Sequence, residues 1–485
     1  MGSARGKGQK ASRRKFLKQS TWTGIGMYFA VRSSWAAGNA PSDRIRFAAI
    51  GVGGRGSGDV WGVANVVGPQ NIVALVDVDA DRARGVMRNA AFRHAKRYRD
   101  YRKMYDEMGN EIDAVIVATP DHTHAPASVM GMRMGKHCYC EKPLTWSVKE
   151  ARVMREVAAE KGLATQMGNQ GTSGNKFREG VEVVQAGMLG QVREVYVWTN
   201  RPVWPQGLDA VFKGHTGVRK ALHGPLEGGV ISAPIRDTLA WDLWLGPAPA
   251  RPYDPIYLPF NWRGWYDFGT GALGDMACHT MNLPYMALKL TAPTTVEAEV
   301  SCLNPETYPE WSIIKYQFPA RGGLPPVTLY WFDGRENSPR HFARQLEKSK
   351  VTCCGKPAAE IFRGQKLSGS GSLMVGSEGM LYSTDDYGNH WRLLPADKFR
   401  DYKAPPQKLP RSPGHHKEWV EAIRGGRPAM SNFNYAGPLT ETVLLGVVAL
   451  RARTKIEWDA PNLRITNNKE ANALLHREYR KGWRL

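Results

Sequence analysis

Cysteine is scarce, six in 485 residues, with no Cys-x-x-Cys spacing and no Cys/His ligand pattern. Cys353 and Cys354 are neighbours, and a bridge between adjacent residues is badly strained. Cys138 and Cys140 share one strand face near the upper limit of disulfide separation. Free thiols are expected, which excludes a disulfide-stapled scaffold, and no metal site is expected. Also lacking are a low-complexity tract, an internal repeat and, near the N-terminus, the run of ~20 apolar residues that a membrane span needs. The formal net charge is +21. The basic residues are nevertheless mixed with acids, as from Arg152 to Lys161, and form no block with interleaved aromatics. That argues against a nucleic-acid partner and leaves anionic envelope material or acidic substrates.

What is present begins with Ser12-Arg13-Arg14-Lys15-Phe16-Leu17-Lys18. A modestly apolar stretch from Thr21 to Val31 and small residues around Ala36 follow. This pattern reads as a twin-arginine signal over 1–36, cut after about Ala36. Extracytoplasmic or periplasmic localisation is the expectation, without stable membrane insertion. The segment holds eight Lys or Arg and no acid, so its removal leaves +13.

The stretch from Arg44 to Asp79 organises the next part. Ile45, Phe47 and Ala49 alternate as a strand, Gly51-Val52-Gly53-Gly54-Arg55-Gly56 follows, and Val60, Val63, Ala64 and Val67 take helical spacing. A second apolar run, Ile72 to Val76, ends at Asp77. Strand, glycine turn, helix, strand and acid come in the order of a dinucleotide fold. Gly51 permits the turn, Gly53 lets backbone approach a pyrophosphate, and Gly56 seats the helix on the strand. The helix N-terminus offers free N–H groups to phosphates. Asp77, about 20 residues beyond the last glycine, suits a ribose diol. The acid predicts NAD rather than NADP, although Arg82 and Arg84 pull the other way.

Beyond Asp77 the pattern predicts helices over 80–93, 103–108, 123–134 and 148–161, with Ser147 and Glu150 as a capping box for the last. Strands are predicted at 114–118, 137–140 and 163–167. Such alternation gives a doubly wound parallel sheet, an α/β Rossmann domain over 43–168. Its strand ends collect Gly51–Gly56, Asp77, Thr119–His124, Glu141–Pro143 and Gly168–Gln170. After about Gly190 the strands alternate strictly and stand farther apart. Residues 169–485 therefore read as an α+β domain on a mainly antiparallel sheet, with a Trp-rich insertion over about 201–265.

Two stretches carry chemistry. Lys142, at a strand's carboxyl end, can stabilise negative charge on a substrate oxygen. In Gly271-Ala272-Leu273-Gly274-Asp275-Met276-Ala277-Cys278-His279, Asp275 and His279 are four apart and share a helix face. A carboxylate there is expected to orient the imidazole and raise its pKa, as suits a general base. Trp204, Trp241, Trp244, Trp262 and Trp265 offer faces for sugar rings or simply pack, with Trp262 and Trp265 the first to test.

GVGGRG after a strand, VDVD, ATPDHTHAP, KHCYCEKP and GDMACH, in this order, resemble the Gfo/Idh/MocA oxidoreductases. The resemblance covers about Arg44 to Leu290. It implies a nucleotide domain followed by an α/β domain with a large open sheet, through which homo-oligomers form. It implies that Lys142 contacts the reacting hydroxyl and the nicotinamide region of the cofactor, and that His279 moves the proton with Asp275 in support. Thr119, Pro120, His122 and His124 match the segment lining the cofactor, and Glu141 and Asn169 stand at neighbouring strand ends.

The expected function is NAD(P)-dependent hydride transfer on a secondary hydroxyl of a sugar, cyclitol or glycoside, with the cofactor held tightly through export. An alternative is NAD-assisted glycoside cleavage without net redox change. A third is a non-catalytic nucleotide- or sugar-binding envelope protein.

Overall fold

A computed structural model describes residues 44–207, 234–335 and 337–485. The twin-arginine segment and residues 208–233 of the Trp-rich insertion lie outside the described residues. Strands β1 (Phe47–Ile50), β2 (Ile72–Val76), β3 (Lys96–Tyr98), β4 (Ala114–Val117), β5 (His137–Cys140) and β6 (Thr165–Met167) form a parallel sheet in the order β3-β2-β1-β4-β5-β6. β1 and β4 are buried throughout, which is why their sequences are unbroken apolar runs. The helices fall close to the expected spans: Arg55–Val67, Tyr101–Met108, Asp121–Arg133 and Val148–Glu160. The helix expected over 80–93 stops at Met87 and is capped at its start by Asp79. β3 carried no apolar signal, because it is a three-residue edge strand with Lys96 and Arg97 exposed.

The second sheet is built from β7 (Val192–Trp198), β8 (Thr295–Val300), β9 (Ser312–Phe318) and β10 (Val327–Phe332). A separate two-stranded ribbon, β11 (Thr352–Cys353) and β12 (Lys356–Pro357), follows. The sheet continues with β13 (Gly371–Gly376), β14 (Met380–Ser383), β15 (Trp391–Leu394), β16 (Ile456–Asp459) and β17 (Arg464–Ile465). Its order is β15-β14-β13-β7-β10-β9-β8-β16-β17, antiparallel except where β7 meets β10. β9 shows why alternation marked it: Ser312, Ile314, Tyr316 and Phe318 are buried and the residues between are half-exposed.

The chain returns to the first sheet late. The helix His415–Ile423 packs on Arg55–Val67, and Phe433–Ala452 packs between Val148–Glu160 and Gly271–Thr280. Phe433–Ala452 is apolar and long enough to pass for a membrane span, but its residues are core, among them Leu439, Val443, Leu444 and Val448. Much of the tryptophan is core too. Trp241, Trp244 and Trp265 pack with Tyr257 and Phe268 in one cluster, and Trp204 is buried with its Nε1 donating to Gln206 Oε1 at 2.8 Å. All six cysteines are free, four of them buried.

Candidate active site

A cavity of about 560 Å³ opens at the carboxyl ends of the parallel strands. The glycine turn forms one end; Lys142, Asp275 and His279 line the other. Thr119, Pro120, His124 and Glu141 lie along its wall.

The turn fits a pyrophosphate. Gly51 has φ 79°, and a Cβ there would stand 2.6 Å from the Ala118 carbonyl oxygen. A Cβ on Gly56 would fall 1.9 Å from the Gly51 oxygen, so the helix can start this close to β1 only with glycine. The Arg55–Val67 helix has no side-chain cap and no acid in its first turn. Gly56 N bonds the Gly53 carbonyl oxygen at 3.1 Å, and the other leading N–H groups, with no side-chain cap, remain available to an anion. Asp77 also shapes the turn. Its Oδ2 accepts from Val52 N at 2.9 Å and Gly53 N at 3.1 Å, and its Oδ1 from Asp79 N at 2.9 Å. A carboxylate has about four acceptor positions, so little is left for a ribose diol. Arg82 lies over the same turn and lines the cavity, close enough that a Cβ on Gly54 would meet its guanidinium at 2.6 Å. Arg84 points elsewhere and pairs with Asp81.

Beside the turn, Arg55 is fixed by two buried acids: Nε to Glu141 Oε1 at 3.0 Å and Nη2 to Asp59 Oδ1 at 2.9 Å. Tyr139 Oη and Gln170 Nε2 donate to the same Glu141 oxygen at 3.2 and 2.8 Å. Burial pushes Asp59 up to about 6, against the pull of Arg55. Glu141 is raised as well, by burial and then by Asp59. Its carboxylate occupies the space a Cβ on Gly168 would need. Sequence reasoning missed Asp59, whose only signal was its position one turn after Arg55.

The catalytic end differs from the expected pairing. Asp275 does not hold His279; it binds cations from two other elements. Lys142 Nζ donates to Asp275 Oδ1 and to the Asp275 carbonyl oxygen, both at 2.7 Å, and Arg263 Nε donates to Oδ1 at 3.0 Å. Burial would raise the Asp275 pKa, but Lys142 and then Arg263 hold it well below the carboxylate range. His279 is buried, its Nδ1 has no partner among the described residues, and its ring meets Tyr387 edge-on at 4.9 Å. Burial, and then the Lys142 charge, drive its pKa well below the ordinary histidine value, with Asp275 opposing only in part. The imidazole is thus neutral, contrary to the expected rise.

Arg263 is the residue the sequence concealed. Its guanidinium lies 4.3 Å from the Trp262 ring and 4.4 Å from Phe260, in a short 3₁₀ helix, Asn261–Gly264, that carries no motif. Trp244 and Trp262 belong to the aromatic cluster and also line the cavity, whereas Trp265 packs within the cluster and does not line it. Asp121, another cavity residue, accepts from Thr270 Oγ1 at 2.6 Å; burial pushes its carboxyl up to about 7.

Two expected cofactor residues stand behind the wall. His122 is fully buried with Nδ1 3.1 Å from the Phe268 carbonyl oxygen and Nε2 3.0 Å from that of Trp244. Burial lowers it to about 3, and a neutral ring has one N–H, so it donates to only one of these two carbonyls while it packs between the Asp121–Arg133 helix and the Trp-rich segment. Asn169 is buried, donates to the Cys278 carbonyl at 3.3 Å and accepts from the Ser431 hydroxyl. It joins β6 to the Gly271–Thr280 helix. His124 stays at the wall, its nitrogens 2.8 Å from the carbonyl oxygens of Pro143 and Thr119, so it positions both segments. Among the described residues, no group of three His, Cys, Asp or Glu is placed to hold a metal ion.

Residues 45–169 match the family model for an oxidoreductase family with an NAD-binding Rossmann fold. Residues 192–323 match that family's C-terminal alpha/beta domain. An inositol 2-dehydrogenase of Saccharopolyspora erythraea is 29% identical over 196 residues, 39% of this chain and 56% of the relative. A glycosyl hydrolase family 109 protein of Shewanella pealeana is 28% identical over 204 residues, 38% of this chain and 44% of the relative. The chain thus spans about half the length of these curated relatives. Among solved structures, the WlbA dehydrogenase of Bordetella pertussis, in complex with NADH and UDP-GlcNAcA, aligns with a TM-score of 0.54 at 13% identity. That alignment covers 86% of this chain and 99% of WlbA, and it shows a common fold.

Proposed function

We propose, from the premise that this chain belongs to the Gfo/Idh/MocA oxidoreductase family and carries its NAD-binding Rossmann domain, that it oxidises a secondary hydroxyl of a sugar or cyclitol to the ketone, or runs the reverse reduction of that ketone. The observation that carries this reading is one cavity with a pyrophosphate-shaped glycine turn at one end and the Lys142–Asp275–Arg263 cluster beside His279 at the other. The inositol dehydrogenase among the relatives supports the substrate class.

The Gly51–Gly56 turn, the free amides of the helix it opens, Arg55 and Arg82 would hold NAD, which when bound supplies the nicotinamide ring for hydride exchange. An ammonium has three N–H donors. Asp275 takes two from Lys142, which fixes the side chain and leaves the third for a substrate oxygen. That cation stabilises the oxygen as it becomes anionic. His279, kept neutral, accepts the hydroxyl proton in oxidation and returns it in reduction. Asp275 is a positioning residue for Lys142.

The test is a panel of sugars, cyclitols and glycosides followed at the nicotinamide absorbance. Lys142→Ala and His279→Ala are expected to lose turnover while still binding NADH, read by its fluorescence. Full turnover in either variant refutes the assignment.

The glycosyl hydrolase relative favours a second reading, in which the hydroxyl is oxidised only transiently so that a glycosidic bond can be eliminated. A free sugar appearing without net cofactor change would select it. The twin-arginine sequence supports export of the folded protein with its cofactor resident. Mass spectrometry of protein as purified should then find the dinucleotide, and its ready loss on dialysis would count against a resident cofactor. Assembly through the open sheet remains part of the same proposal.

A further inference from the structure

The loop joining β14 to β15 reaches the cavity from a part of the chain outside both family matches. It carries two adjacent acids with different fates. Asp385 closes the loop: its oxygens accept from Asn389 N at 3.1 and 3.3 Å, and His390 Nδ1 lies 3.1 Å from its Oδ2. Asp386 does none of this. It lines the cavity, and its Oδ1 is buried with no hydrogen-bond partner among the described residues. Beside it Tyr387 sets its ring against His279 and leaves 42% of its surface exposed.

The loop is held in place. A Cβ on Gly171 would meet the Tyr387 carbonyl oxygen at 2.7 Å, and one on Gly174 would meet Asn389 Oδ1 at 1.8 Å. A Cβ on Gly388 would stand 3.1 Å from both Leu283 and Phe177. A carboxylate oxygen desolvated without a donor destabilises the fold. Such a cost is offset when a ligand brings the donor. A polyhydroxylated ring seated by His279 has hydroxyls on the carbons next to the reacting one and a C–H face suited to Tyr387.

We propose that Asp386 is a substrate-orienting residue that accepts a hydrogen bond from a second hydroxyl of the sugar or cyclitol, with Tyr387 as the platform beneath the ring. This rests on the oxidoreductase reading for the identity of the reacting hydroxyl, but not for binding. The arrangement fixes which carbon faces Lys142 and His279.

The test separates the two. Binding of myo-inositol, D-glucose and methyl β-D-glucoside to NADH-loaded protein is measured by calorimetry, and turnover is measured independently with NAD. Asp386→Ala is expected to weaken binding of the best ligand about tenfold or more, the range for losing a hydrogen bond to a charged group. NADH affinity should not change, while kcat/KM on the same ligand should fall at least as far as its binding, because the ring is no longer held with the reacting carbon at Lys142 and His279. Asp386→Glu should recover part of the loss. Among monodeoxy analogues of that ligand, one should bind wild type and Asp386→Ala equally, which a merely structural role would not produce. Equal ligand binding by wild type and Asp386→Ala, a uniform penalty across all analogues, or no binding of any of these polyols overturns the proposal. Weakened binding without turnover in wild type overturns the oxidoreductase reading and leaves Asp386 standing.

Discussion

Replacing Asp275 with Asn tests the centre of the site. The carboxylate holds two cations, Lys142 at 2.7 Å and Arg263 at 3.0 Å, and the three side chains are only 14%, 20% and 11% exposed for Lys142, Arg263 and Asp275. At an effective dielectric of about 20, unit charges ~3 Å apart interact by roughly 5 kcal/mol, and desolvation offsets much of this. Removing one partner of a buried pair costs about 3–5 kcal/mol. Asn keeps an oxygen that can accept from one cation, so Asp275→Asn should lose about 3 kcal/mol, the lower end. Lys142 also loses its anchor, and a displacement of about 1 Å at a reacting group lowers the rate about 10²-fold. Urea unfolding should therefore show a lower midpoint, and kcat/KM should fall about a hundredfold while NADH still binds. The folded pKa of Asp275 is depressed from 3.8. Its contribution is thus present above about pH 4 and is lost as pH falls through the folded value, so the stability gap between wild type and variant should narrow only in acid. A variant within about 0.5 kcal/mol of wild type and within about threefold in kcat/KM would refute the reasoning, since surface substitutions already span that range.

Gly56→Ala should reduce NADH binding and lower the melting temperature, because its Cβ would lie 1.9 Å from the Gly51 oxygen, and overpacking costs about 1–3 kcal/mol. Gly58→Ala, on the same helix with its nearest neighbour atom at 4.0 Å, is the control and should be neutral or stabilising; equal behaviour of the two would remove the steric argument. Asp121, raised from 3.8 to about 7 by burial, binds a proton more tightly when folded, so stability should decline as pH rises from about 4 to 7. Asp121→Asn should flatten that part of the profile in urea midpoints measured at pH 5 and 8. An unchanged slope would show that Asp121 does not titrate there.

The parallel sheet was legible because β1, β2 and β4 are unbroken, largely buried apolar runs and β5 and β6 follow at the spacing that helical crossovers set. β3 was not, being short, polar and at an edge. The glycine turn was legible because its steric demands act between neighbours in the chain, Gly51 against Gly56 and β1 against its helix. Alternation marked β9 as a half-buried strand, but not where it lies in a nine-stranded sheet, since pairing partners come from distant segments.

Within the site, helical spacing placed Asp275 and His279 on one face, but the tertiary structure chose Asp275's partners. Lys142 arrives from 133 residues away and Arg263 from a short 3₁₀ helix, and two cations on a buried carboxylate outweigh a neutral imidazole one turn along. His122 and Asn169 sit in motif positions, yet burial and carbonyl partners make them braces behind the wall. Asp386 gave no signal at all, because only the folding of the β14–β15 loop onto Gly171 and Gly174 brings its carboxylate to the cavity. The sequence by itself determined the nucleotide fold and its glycine turn, which rest on local sterics and periodicity. Tertiary structure decided the charge pairing around Lys142 and the substrate end, because those depend on which distant groups share one desolvated space.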